Sequence, residues 1–169
     1  MSTIRTKRLV LRAYQPQDRE DYLDLVTDPE VMSHIEGGAI DRDTAGVWWH
    51  RLINGLFGKG IRWCARTVED SRYAGHAMIN YTRPGEACEL GYILPRDEWG
   101  KGYATEIATA LAEFSRDEMG LDKIYGTVDE DFAASINVLK KAGMEFFGYD
   151  HDENGRYLVY ILKHRNDEK

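Results

Sequence analysis

The sequence predicts an α/β fold, and three observations predict it. Strand-like stretches at 61–68, 73–82 and 87–94 are joined by the short polar links Glu69-Asp70-Ser71-Arg72 and Arg83-Pro84-Gly85-Glu86, which favours an antiparallel meander. The last of these stretches, Ala87-Cys88-Glu89-Leu90-Gly91-Tyr92-Ile93-Leu94, turns through Gly100 and Gly102 into a helical stretch whose Ile107, Leu111 and Phe114 recur on one face. Two more strand patterns, 144–150 and 157–163, flank Asp152-Glu153-Asn154-Gly155, a good hairpin turn.

In chain order, 9–14 reads as the first strand. Pro16 and Asp18 can start a helix that runs through Tyr22, Leu23 and Leu25 to about Val26. Asp28-Pro29 then opens a short second helix through Val31, Met32 and Ile35, which Gly37-Gly38 ends. A longer helix is predicted over 41–57, with Trp48, Leu52 and Leu56 on one face and Gly58 and Gly60 beyond its end. Trp48-Trp49 reads as core plus one exposed ring. After the glycine turn and its helix come a strand at 123–128 and a helix from about 131 to 142, closed by Gly143. No repeat, low-complexity segment or linker interrupts the pattern, and 165–169 reads as a frayed end.

A chain of 169 residues with 43% hydrophobic content reads as one domain, 1–169, with an ordered core of about 6–164. No apolar run is long enough to span a bilayer and the N-terminus lacks the apolar core of a signal peptide, so the expected location is cytoplasmic. Cys64 and Cys88 are the two cysteines; without Cys-x-x-Cys or His-rich spacing they suggest buried free thiols, no disulfide framework and no metal site. A net charge of −7 and a pI near 5.3 argue against a nucleic-acid surface and suit cationic acceptors such as amines.

The glycine turn carries the chemistry. The first turn of a helix leaves its N–H groups unpaired and adds partial positive charge, so an anion can sit there. Lacking Cβ atoms, Gly100 and Gly102 let the backbone of 100–105 close around a phosphate pair, each charge-assisted bond contributing on the order of 1.5–3 kcal/mol. Lys101 adds side-chain charge. The plain alternative is a tight turn and nothing more. A Walker loop needs Ser or Thr after the lysine, where Gly102 stands; the dinucleotide fingerprint fits only Gly100-Lys101-Gly102, with Thr105 where a third glycine or alanine belongs.

Trp99-Gly100-Lys101-Gly102-Tyr103-Ala104 resembles the pyrophosphate loop of the GNAT superfamily of acetyl-CoA-dependent N-acyltransferases, Gln/Arg-x-x-Gly-x-Gly/Ala, at its last two fixed positions. Trp99 replaces the usual Gln or Arg. That replacement is typical of the Rim-type branch, the ribosomal-protein N-terminal alanine acetyltransferases, whose loop is similar to Trp99 through Glu106 residue for residue. The opening Thr6-x-Arg8-Leu9-x-Leu11-Arg12 resembles theirs too, and the order of elements extends the likeness over nearly the whole chain.

This resemblance implies a mixed, mostly antiparallel sheet with helices on both faces, and a cofactor cleft where strands 87–94 and 123–128 run parallel and splay apart. It implies acetyl-CoA as cosubstrate, its pantetheine arm bonded by backbone near Tyr92, Ile93 and Leu94 and its pyrophosphate by Gly100, Lys101, Gly102, Tyr103, Ala104 and Thr105. It implies direct attack by a primary amine in a ternary complex and an acceptor site bordered by residues 34–57; charge, hydropathy and cysteine spacing give no nucleic-acid partner, no membrane partner and no metal, and a homodimer stays open. Ser135 matches the serine that would donate to the departing sulfur, the plain alternative being a helix residue bonding its own backbone. Phe132 stands where the family usually has Asn, and Leu139 where many members have a tyrosine.

For a base, Glu89 is preferred to His76, and strand alternation puts Glu89 with Ala87 and Gly91. Deprotonating a lysine of pKa ~10.4 at pH 7 costs about 4.6 kcal/mol and an α-amine of pKa ~7.8 about 1 kcal/mol, so a chain without an emphatic base suits a protein or peptide N-terminus. A polyamine or antibiotic-like amine is an alternative acceptor. Phe132 and Leu139 leave room for a different class, a non-catalytic acyl-CoA-binding module.

Overall fold

The computed structural model describes residues 2–35, 37–83, 87–152 and 155–164; the link at Pro84-Gly85-Glu86, Glu153-Asn154 of the hairpin turn and the tail 165–169 lie outside the described residues. Eight strands form one sheet: β1 (Ile4–Arg5), β2 (Leu9–Arg12), β3 (Gly60–Thr67), β4 (Tyr73–Arg83), β5 (Ala87–Ile93), β6 (Lys123–Asp129), β7 (Glu145–Asp152) and β8 (Gly155–Lys163). Their spatial order is β1-β2-β3-β4-β5-β6-β8-β7. Every neighbouring pair is antiparallel except β5 and β6, which run parallel and meet at Glu89↔Tyr125. The mixed sheet and its antiparallel meander are as the sequence predicts.

Strand alternation splits the core between the two faces. Trp63, Ala65, Ala77, Ile79, Cys88, Leu90 and Ile124 pack on Ile107, Ala108 and Leu111 of α3 (Tyr103–Asp117) and Leu139 of α4 (Ala133–Lys141). On the other face Cys64, Tyr73 and Ile93 pack with Tyr22, Leu23 and Val26 of α1 (Arg19–Thr27) and Ala45 and Trp49 of α2 (Arg42–Ile53). Both cysteines are free and buried. Trp49 is the core ring of its pair, while Trp48, expected on the apolar face, packs half-buried at the margin, so neither ring is exposed.

Three local readings are corrected. Residues 28–35 form turns instead of a second helix: Met32 N–H donates to the Asp28 carbonyl four residues back, but the Ser33 and Ile35 N–H groups reach only three residues back, to Glu30 and Met32. One turn of hydrogen bonds before two left-handed glycines, Gly37 and Gly38, does not repay helix nucleation. Helix α2 stops at Ile53, followed by the left-handed Gly55, and Leu56 is left exposed instead of on the apolar face. Strand β1, too short to show a pattern, extends the sheet beyond β2.

Candidate active site

The strand-to-helix connection is built as its glycines require. Gly100 (φ 72°) and Gly102 (φ 81°) are left-handed, and Gly102 caps α3 without any side-chain hydrogen bond. Glu106 N–H makes the first α-type bond, to the Gly102 carbonyl; among the described residues, the N–H groups of 100–105 find no backbone acceptor. Such a run of free donors at the positive end of a 15-residue helix is an anion cradle.

Lys101 does more than add loose charge. Its Nζ lies 3.1 Å from the carboxylate of Glu98, which is buried and also takes the Arg72 guanidinium. The Lys101 carbonyl accepts from Arg8 Nη1 at 2.8 Å, and the Arg8 guanidinium lies over the Tyr103 ring. Glu106 holds Arg8 in turn, accepting from its N–H at 2.8 Å and its Nε at 2.7 Å, and accepts from the Thr6 hydroxyl as well. Burial opposes ionisation of Glu106, but the bonds from Thr6 and Arg8 outweigh it and hold the carboxyl below its ordinary pKa. Trp99 donates its indole N–H to the Leu94 carbonyl at 2.8 Å, which takes one of that oxygen's two lone pairs. Gly75, whose absent Cβ would lie 2.4 Å from the Ile93 carbonyl oxygen, lets the end of β5 sit close against β4.

Beyond Glu89 the parallel pairing of β5 with β6 does not continue toward Tyr92. The opening is bridged by side chains: Tyr92 Oη and Ser135 Oγ are 2.8 Å apart, joining β5 to the first turn of α4. Burial pushes the Tyr92 phenol up to about 12, and the Ser135 bond only partly offsets this. Leu139 is buried against Gly126, with 3.0 Å between its Cδ2 and the position a Gly126 Cβ would take.

Glu89 faces the other way. Cys88, Leu90 and Tyr92 point toward α3, while Ile93 belongs to the cluster of α1 and α2, so alternation puts Glu89 on the face of α1 and α2 together with Gly91. No register shift intervenes between Cys88 and Ile93. The half-buried Glu89 carboxylate accepts a hydrogen bond from the Thr127 hydroxyl on β6.

His76, the other sequence candidate, is sealed in the core. Its Nδ1 is 2.9 Å from Tyr14 Oη, which is 3.0 Å from Tyr73 Oη, and the Tyr14 and Tyr22 rings pack on it. Burial drives its pKa down to about 3, so it is neutral and structural at neutral pH.

A grouping that the sequence reading missed lies at the C-terminal end of β6. His34, from the turn segment after α1, stacks on Phe132 with ring centroids 4.0 Å apart and an interplanar angle of 12°. Its Nδ1 lies 3.2 Å from Asp129 Oδ2 and 3.8 Å from Asp131 Oδ1. The ligand atoms of these three residues fall within 4.8 Å of one another, a spacing that could hold a cation, although both carboxylates are exposed. Ninety-five residues separate His34 from Asp129, so no local motif could have announced the cluster. Phe132, noted in the sequence for displacing an asparagine, thus forms one wall of the contact between this segment and β6.

Among the described residues, no helix is long and apolar enough to cross a membrane. A family profile described as an acetyltransferase (GNAT) domain matches residues 8–145. The uncharacterized protein YkkB of Bacillus subtilis is 28% identical over 165 residues, 95% of each chain. The uncharacterized N-acetyltransferase YnaD of the same species is 28% identical over 147 residues, 86% of this chain and 84% of its own. The solved structure of a GNAT-family acetyltransferase from Bacillus anthracis is similar with a TM-score of 0.85 at 22% identity, over 96% of this chain and 98% of that one. The fold is shared, at 16% identity and a TM-score of 0.78, with spermidine N-acetyltransferase from Vibrio cholerae solved with CoA and spermine, covering 94% and 96% of the two chains. It is shared likewise, at 15% identity and a TM-score of 0.79, with RimL, a ribosomal L7/L12 alpha-N-protein acetyltransferase solved with CoA, covering 96% and 98%.

Proposed function

The chain belongs to the acetyltransferase (GNAT) domain family and is an acetyl-CoA-dependent N-acyltransferase; from that premise we propose that it is of the Rim type and acetylates a protein or peptide N-terminal α-amine. The acetyl-CoA pyrophosphate lies on the N–H groups of 100–105, and the pantetheine arm enters the opening between β5 and β6 beside Tyr92 and Ile93. The Leu94 carbonyl, which shares one lone pair with Trp99, borders the same opening.

The observation that carries the choice of acceptor is the placement of the bases. With His76 buried and neutral, Glu89 is left as the acceptor-side carboxylate, and a site with a single carboxylate and no histidine base suits an amine that costs only about 1 kcal/mol to deprotonate at pH 7. Glu89 takes the amine proton directly or through water, while Ser135 on the opposite face of β5 donates to the departing sulfur. Amine and thiol are then handled on different faces of one strand.

The exposed Asp129 and Asp131 favour a second reading, a small polyamine acceptor. Release of free CoA should be followed from pH 6 to 10 with matched peptides offering an α-amine or an ε-amine, and with spermidine. The proposal expects the α-amine peptide to be preferred. It expects Glu89→Gln to slow that peptide far more at pH 7 than at pH 9, where the amine is already neutral. Preference for spermidine would select the second reading, and a Glu89→Gln profile parallel to wild type would remove Glu89 as the base.

A further inference from the structure

We propose that Tyr92 is the proton reserve for Ser135, and that the two hydroxyls work as one donor to the departing thiolate. The inference rests on the acyl-transfer role given to Ser135 above and adds a residue to it.

Three observations converge on this pairing. Tyr92 Oη and Ser135 Oγ lie 2.8 Å apart across the opening between β5 and α4, a distance at which a proton passes between oxygens. Leu139 is packed into the core against Gly126, so that position of α4 offers no hydroxyl, and the phenol comes to the same opening from the strand instead. Ser135 also sits in the first turn of α4, whose cap residue Phe132 makes no side-chain hydrogen bond, so a thiolate arriving there meets the positive end of the helix. Burial keeps the phenol protonated through the neutral range, so it is present as a donor, and because it is then a weaker acid than a thiol it gives up its proton only as another replaces it.

The amine nitrogen forms its bond to the thioester carbonyl carbon, and the carbon–sulfur bond breaks. The sulfur takes the Ser135 Oγ proton, and Ser135 Oγ takes the Tyr92 Oη proton. The proton shed by the amine nitrogen reaches solvent and returns to Tyr92 Oη, so the pair is restored and no other reactant is needed. Tyr92 is therefore a positioning and relay residue acting through Ser135, not a group that touches sulfur itself.

The test compares Tyr92→Phe, Ser135→Ala and the double variant with wild type, using acetyl-CoA and S-4-nitrophenyl thioacetate as donors to the same peptide amine. Phenylalanine keeps the ring and its packing. With acetyl-CoA, Tyr92→Phe should lower kcat on the order of 10²-fold with acetyl-CoA affinity unchanged by calorimetry. The double variant should be no slower than the slower single one, because both remove the same donor. The aryl thiol leaves readily without a proton, so with that donor Tyr92→Phe should match wild type. A Tyr92→Phe enzyme equally slow with both donors would reduce Tyr92 to a packing role, and one with normal kcat on acetyl-CoA would remove it from the reaction. A wild-type enzyme that releases no CoA with any amine would instead overturn the acyl-transfer reading, an outcome distinct from either.

Discussion

A Cβ at Gly75 would meet the Ile93 carbonyl oxygen at 2.4 Å and Leu94 Cα at 3.2 Å, and the residue's φ of 147° is one that side chains rarely adopt. Gly100 differs: its φ of 72° disfavours a side chain, but nothing lies within 4 Å of the added atom. Overpacking against backbone plus strain should cost Gly75→Ala about 2–4 kcal/mol, whereas Gly100→Ala should cost about 1–2 kcal/mol through φ alone. Urea denaturation of both variants checks this order, and equal losses would mean that the contact of β4 with the end of β5 is loose. Gly102 is left-handed as well. A valine there strains a backbone at φ 81° as well as crowding any phosphate, so lost cofactor binding would mix two causes. Gly102→Ala, costing about 1–2 kcal/mol, is the milder probe.

At the scale of elements, the β1–β2 turn and the first turn of α3 are one construction. Glu106 accepts from Thr6 Oγ1, Arg8 N–H and Arg8 Nε, and Arg8 passes the restraint on to the Lys101 carbonyl. Glu106→Ala should therefore destabilise the protein by about 1–3 kcal/mol and raise the KM for acetyl-CoA more than it lowers kcat, since the loop loses its brace while Ser135 is untouched. An unchanged KM would mean that the loop holds its shape without the N-terminal turn.

This construction also marks where the sequence was legible. The opening Thr6-Lys7-Arg8 and the loop ending in Thr105-Glu106 could each be read, because a motif is local; that they bond each other could not, because the contact spans 98 residues or more. The strands of the meander were legible from alternation and short polar links. The turns at 28–35 were not, because apolar Val31, Met32 and Ile35 carry the spacing of a helix too short to persist. The loop at 100–105 and the candidate Ser135 were read from motif and position. The partnership of Ser135 with Tyr92 was not, since a single tyrosine in a strand gives no hint of the helix it will meet.

For the molecule as a whole, the sheet is a partition: α3 and α4 lie on one side, α1 and α2 on the other, and β5 shows Tyr92 to the first and Glu89 to the second. The side bearing α1 is fastened to the sheet by Asp18, which is fully buried and accepts from Arg12 Nη1 at 2.7 Å, Arg12 Nη2 at 3.0 Å, the Gln15 N–H at 2.7 Å and the Arg66 guanidinium. Burial by itself would raise its pKa, but Arg12, the Gln15 N–H and Arg66 outweigh burial and hold it below its ordinary value of 3.8. Because the folded-state pKa lies below the unfolded one, the ionised carboxylate stabilises the fold fully above about pH 4, and that contribution is lost as pH falls through the folded-state value. Asp18→Asn keeps the shape but leaves Arg12 and Arg66 facing a neutral group, which should cost roughly 3–5 kcal/mol at pH 7. The gap in melting temperature between wild type and Asp18→Asn should stay constant from pH 7 to about pH 5 and narrow below pH 4, as protonation makes wild-type Asp18 neutral too. Circular dichroism melts at half-unit steps from pH 7 to 2 measure this, and a gap that did not narrow at all between pH 5 and pH 2 would show that Asp18 holds α1 by shape and hydrogen bonds, not by its charge.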